Sequence, residues 1–98
     1  AFEKVFGACA SVEEEYRNLC YQRLGRDASG WSNGDAVAAL AYCSLGKSSD
    51  ARAQCLTGAA VDYIQSVSAA AASALCAQGE AEAREECLQA VEAQLGML

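Results

Sequence analysis

Six cysteines are the residues of this chain with the most chemistry open to them. They fall in three pairs. Cys9 and Cys20 flank ASVEEEYRNL, Cys43 and Cys55 flank SLGKSSDARAQ, and Cys76 and Cys87 flank AQGEAEAREE. Ten or eleven residues separate the partners, and the pairs recur with a period near thirty-four residues. Cysteines can ligate metals, exchange disulfides or form structural bridges. Structural zinc sites draw on close pairs such as C-x2–4-C, often with His; this chain has no His and no close pair. Disulfide oxidoreductases rely on Cys-x-x-Cys, where a near neighbour resolves the mixed disulfide. No such pair occurs here. An even number of cysteines in 98 residues instead fits a disulfide framework.

The other polar groups point to no reaction. Without His, a general base would have to be Asp, Glu, Lys or Tyr. Glu13 to Glu15, Glu80, Glu82, Glu85 and Glu86 fall on expected first turns of helices and exposed faces. Negative charge at a helix start complements the dipole. Asp62 is the one acid in an apolar stretch, AAVDYI, and is expected to face solvent. DASGWSNGD supplies oxygen ligands, but neither Gly30 nor Gly34 has an acid five positions before it, and no Glu closes an EF-hand loop. No catalytic, metal-binding or cofactor-binding residue is assigned. The chain is expected not to be an enzyme.

Local bridging constrains the elements that carry the cysteines. A continuous helix would hold Cys9 and Cys20 about 16 Å apart, whereas a disulfide needs Cα atoms within about 7 Å. Each pair must therefore straddle a turn. Gly46 and Gly79 interrupt the second and third pairs, and Ser11 is the only breaker in the first. Fifteen connectivities exist for six cysteines. The period favours the local one: 9–20, 43–55 and 76–87.

Abundant alanine and the absence of proline favour helix throughout. Residues 1–10 read as a short helix with Phe2, Val5, Phe6 and Cys9 on one face. Ser11 and Glu14 form a capping-box pattern ahead of a helix from about Val12 to Leu24, with Val12, Tyr16, Leu19 and Cys20 as its apolar stripe and Leu24 at its end. Gly25 is placed at the end of that helix, and GRDASGWSNG, residues 25–34, reads as a loop. Asp35 opens a third helix to about Leu45, its apolar face being Val37, Leu40, Ala41 and Leu45. Ser48, Ser49 and Asp50 offer the next cap, for a helix to Ser66. Gly58 inside it implies a close helix–helix approach. Ser66 or Ser68 caps a fifth helix, Ala69 to Ala77. The sixth begins at Glu80, with Leu88, Val91, Leu95 and Leu98 as its stripe.

The expected fold is all-α: five or six helices in one domain over residues 1–98. They form three disulfide-stapled hairpins, with units near 1–33, 34–66 and 67–98. The pattern is similar in idea to the twin Cys-x9-Cys proteins of the mitochondrial intermembrane space, which join helical hairpins by disulfides. In that family, however, each motif lies on one helix and bonds to the other. Here there are three pairs, and glycines break two of them.

A net charge of −6, with seven scattered Lys and Arg, argues against nucleic acid as a partner. It also disfavours an anionic membrane surface. No apolar run reaches the roughly 18–20 residues that span a bilayer. The chain begins at Ala1 with no signal-peptide pattern, and is read as a processed chain or an excised piece. The bridges imply an oxidising compartment, secreted or periplasmic. The functional expectation is a non-catalytic structural or protein-interaction module, such as an accessory subunit of a larger assembly, with a protein partner or self-association. Phe2, Phe6 and Trp31 are the candidate contact residues. The competing expectation is that the two Phe rings close the domain's own core and that Trp31, with its large apolar body, is a lid on that core. The competing expectation for the whole chain is a small extracellular carrier of an apolar ligand, its cavity lined by Phe2, Phe6, Tyr16, Trp31, Tyr42 and Tyr63.

Overall fold

A computed structural model describes residues 2–97, and these form six helices: α1 Phe2–Ala10, α2 Glu14–Ser32, α3 Ala36–Cys43, α4 Ser49–Ser66, α5 Ala69–Ala77 and α6 Ala81–Gly96. Three starts carry a side-chain cap. Asp35 accepts from the Val37 and Ala38 amides at 3.0 and 3.4 Å. Ser48 accepts from Ala51, and Ser68 from Ala71, each at 3.0 Å. Such caps satisfy amides that have no partner within the helix, each contributing about 1 kcal/mol.

The expected capping box at Ser11 does not form. Backbone bonds from Ser11 to Ala8 and from Val12 to Cys9 keep Ser11 in the turn that closes α1. Its hydroxyl donates to the Gly7 carbonyl instead. Arg17 then clamps the Val12 carbonyl through Nε and one terminal nitrogen, at 3.2 and 3.1 Å. The second helix starts at Glu14 with Glu13 as an N-cap that makes no side-chain bond.

The larger departure is residues 25–34, expected as a loop. The α2 helix runs through them to Ser32 and ends where Asn33 and Gly34 take positive φ, 51° and 84°. Tertiary packing overrides the turn signals here. Tyr21, Leu24, Gly25, Ala28, Ser29 and Ser32 recur at helical spacing and form the buried face of α2. Gly25 is a packing residue: a Cβ there would lie 2.7 Å from the Ala59 nitrogen of α4. The reciprocal position is Gly58, where a Cβ would lie 2.7 Å from the Gln22 carbonyl carbon. The close approach expected at Gly58 is thus made between α2 and α4, with a glycine on each side.

Helix α4 is the centre of the fold. It packs against both α2 and α6, while α3 bridges α2 and α4, and α5 bridges α4 and α6. The long helices run parallel, as their side-chain partners show. Gln22 donates to Gln54, Ser29 to Asp62, and Gln54 to Glu86, at 2.8, 2.7 and 3.3 Å. The Cys87 sulfur lies 3.9 Å from the Leu56 carbonyl, so residue numbers rise together along both pairs. A ladder Gln22–Gln54–Glu86 therefore crosses the row α2–α4–α6.

The core is built from small side chains. Ala28, Ala39, Ala59, Ala60 and Ala72 are fully buried, around Tyr63, Leu75 and Val91. The Tyr63 hydroxyl lies 3.0 Å from the Ser32 hydroxyl, which also bonds the Ser29 carbonyl at 2.8 Å. The expected stripes of the second and third helices turn inward only in part: Leu24 is buried and Cys20 and Leu40 pack against the core, while the larger remainder faces outward. Tyr16 and Leu19 are 55% and 48% exposed, and Val37 is 78% exposed. Of the α6 stripe, Val91 is buried, Leu88 and Leu95 are on the surface, and Leu98 lies outside the described residues. The inner face of α6 is Ala83, Cys87 and Val91.

Candidate functional site

Each cysteine pair straddles a turn between consecutive helices. Cys9–Cys20 joins α1 to α2, Cys43–Cys55 joins α3 to α4, and Cys76–Cys87 joins α5 to α6, with Cα atoms 5.6, 5.4 and 5.4 Å apart. Gly46 and Gly79 close the second and third turns through bonds to the Cys43 and Cys76 carbonyls. Cys20 is half-buried and the other five are buried. No thiol is free, so thiol chemistry is closed to this state of the chain. Three such bridges fit an oxidising compartment. Among the described residues no helix is long and apolar enough to cross a membrane.

The aromatic candidates separate. Phe2 and Phe6 are buried, at 5% and 4%, so for these two rings the expected partner contact gives way to the core alternative: both close the domain on itself. Phe2 meets Phe6, Trp31 and Tyr42 at centroid distances of 5.3, 5.6 and 5.2 Å, and Phe6 meets Tyr21 at 6.0 Å. Trp31 packs one side on Phe2 and Tyr42 and leaves 57% of its surface in solvent. Of the rings proposed to line a cavity, four stack on one another, Tyr63 is in the core, and Tyr16 stands at the surface.

The carboxylates are occupied or solvated. Asp62 is half-buried and accepts from the Ser29 hydroxyl, which leaves it a structural acceptor between α2 and α4. Asp27, Ser29 and Ser32 of the DASGWSNGD run belong to α2, and Asp35 caps α3.

The surface feature that stands out lies on the first hairpin. Val5 of α1, Val12 of the turn, and Tyr16, Leu19 and Leu24 of α2 line a groove of about 440 Å³ beside the Cys9–Cys20 bridge. Arg23 and Asp27 form its polar rim. Val5, at 45%, joins Tyr16 and Leu19 as an exposed apolar residue. The sequence does not reveal this groove, because hydrophobic patterning turns Val5, Tyr16 and Leu19 inward. The signal available was the second, small-residue stripe on α2, which competes for the core face. A second cleft, between α4 and α6, is acidic, with Asp50, Glu80, Glu82, Glu85 and Glu86 on its walls. Arg52–Glu80, at 2.8 Å, is the one salt bridge among the described residues.

Compared with known proteins, the chain matches no family model, no curated protein and no solved structure.

Proposed function

We propose that this chain is an exported, non-catalytic interaction module that docks a protein partner on the outer face of its first hairpin. The observation that carries the reading is the groove of Val5, Tyr16 and Leu19, with half or nearly half of each residue exposed. A small helical domain ordinarily turns such residues inward, and a contiguous apolar surface rimmed by polar groups is characteristic of interaction sites. Here alanine, serine and cystine take up much of the interior beside Phe2, Phe6, Tyr63 and Leu75, while Val5, Tyr16 and Leu19 stay outside. Export is supported by the three bridges and would make the hairpins durable outside a reducing cytosol.

The test is a photoreactive residue placed at position 19 in the natively exported protein. A discrete protein adduct is expected from position 19 and not from position 37, which is also exposed but lies on α3. No adduct from position 19 would overturn the reading. A lipid retained in native mass spectrometry would favour the carrier alternative.

A further inference from the structure

The row α2–α4–α6 has two free ends, and their chemistry is complementary. At one end, the outer stripe of α2 presents Tyr16, Leu19, Arg23 and Arg26 at i, i+3, i+7 and i+10, all exposed. At the other end, α6 presents Glu85, Leu88, Glu92 and Leu95 at the same spacing, also on the surface. Residues at this spacing lie along one side of a helix. The buried face of α6, Ala83, Cys87 and Val91, is turned to the fold, which leaves this stripe pointing away from it. None of the four charged residues is in a salt bridge among the described residues.

From these two stripes we infer that the occupant of the first-hairpin face is a second copy of this chain, seated through its α6. This rests on the docking face proposed above and names its partner. Inside the molecule, consecutive long helices already pack side by side and parallel, with partner positions 31 to 33 residues apart. An α2 laid parallel on the α6 of a neighbour continues that row. In the register that sets Leu19 on Leu88, Arg23 meets Glu92, Tyr16 lies beside Glu85 and Arg26 beside Leu95. The contact buries an apolar pair and matches one basic residue to one acidic residue. A chain of net charge −6 brings its exposed arginines to a neighbour's exposed glutamates in this way. The contact is heterologous, because the two surfaces differ. It therefore grows into a ring or an open chain of copies and does not stop at a two-fold dimer.

Charge reversal tests this directly, with all bridges intact and folding checked by thermal melting. Sedimentation over a rising concentration series reads the association of the parent chain, of Arg23→Glu and of Glu92→Arg. The parent is expected to associate beyond a dimer. Each variant places like charges together and is expected to weaken association by about tenfold or more. An equimolar mixture of the two variants restores opposite charges at both junctions and should recover association, with copies alternating. A monomeric parent at hundreds of micromolar would overturn the inference. So would association that Glu92→Arg leaves unchanged, or a mixture that fails to recover. If the parent is monomeric yet position 19 still cross-links to another protein, the docking face stands and only the self-partner fails. If neither occurs, both fail.

Discussion

Replacing Gly58 by alanine should destabilise this protein, although the same change in a helix ordinarily stabilises it. In an exposed helix interior, Gly→Ala gains about 1 kcal/mol through backbone entropy. At Gly58 the new methyl carbon would stand 2.7 Å from the Gln22 carbonyl carbon and 2.8 Å from its Cα, where 3.4 Å is an ordinary contact. The shortfall is about 0.7 Å before the carbonyl oxygen, closer still, is counted. The obstacle is backbone, so no side-chain rotation relieves it. The helices α2 and α4 must separate, and with them Leu24, Leu56, Ala59 and Tyr63, which are buried in the core. Overpacking of this kind costs about 1–3 kcal/mol or more. Because the obstacle is backbone, the cost falls at the upper end of that range; set against the propensity gain, the net expectation is a loss of about 2 kcal/mol, or a melting point lower by ~8–16 °C. Circular dichroism melts under non-reducing conditions measure it. The control is Gly30→Ala, also on α2, where a Cβ would meet nothing within 4 Å; it should hold or raise the melting point. If Gly58→Ala melts with Gly30→Ala, at or above the parent, the proposed close approach of α2 and α4 is refuted.

Removing one bridge as the pair Cys43→Ala and Cys55→Ala should cost roughly 3 kcal/mol by the chain-entropy estimate for a loop of this length, read as a shift in the guanidinium midpoint. The bridges close loops of 11, 12 and 11 residues, so the three double variants should fall within a narrow range unless packing separates them. Tyr63→Phe removes a buried hydroxyl whose partner, Ser32, keeps its bond to the Ser29 carbonyl; a loss of about 1 kcal/mol is expected in the same assay. Asp35→Ala leaves two amides at the start of α3 without their acceptor and should cost about 1 kcal/mol, largely recovered by Asp35→Ser.

The legible features were the local ones. Asp35, Ser48 and Ser68 cap helices because a short acceptor side chain ahead of a run of good helix formers is sufficient reason for a helix to begin there. The α5 helix, Ala69–Ala77, has the bounds its alanines and Ser68 imply. The turns between cysteines follow from chain geometry alone. What escaped was which face of each helix turns inward. Tyr16 and Leu19 carry far more apolar surface than Ala28 and Ser29, yet Ala28 and Ser29 are buried and the larger pair is exposed. The reason is distance. Where α2 and α4 come closest, at Gly25 and Gly58, there is room only for small residues, and contact area along the interface replaces bulk at those positions. The same inversion made Gly25 look like a stop and residues 25–34 like a loop. It also hid the groove on the first hairpin.

None of the three bridges crosses from one hairpin to another. As the chain emerges from its N-terminus, every cysteine meets its correct partner as the next one to appear, so the native pairing is also the order of synthesis. An oxidant acting on the growing chain could close Cys9–Cys20 before Cys43 exists, and one of the fifteen pairings is then reached without reshuffling. The same connectivity divides the molecule mechanically. Each hairpin is covalently cinched, while hairpin is held to hairpin across the α2–α4–α6 row by packing and hydrogen bonds, the backbone linkers at Asn33–Asp35 and Val67–Ser68 being the only covalent ties. Pulled from its ends, the protein should part into three closed loops, 9–20, 43–55 and 76–87, while residues 21–42 and 56–75 between them are free to extend.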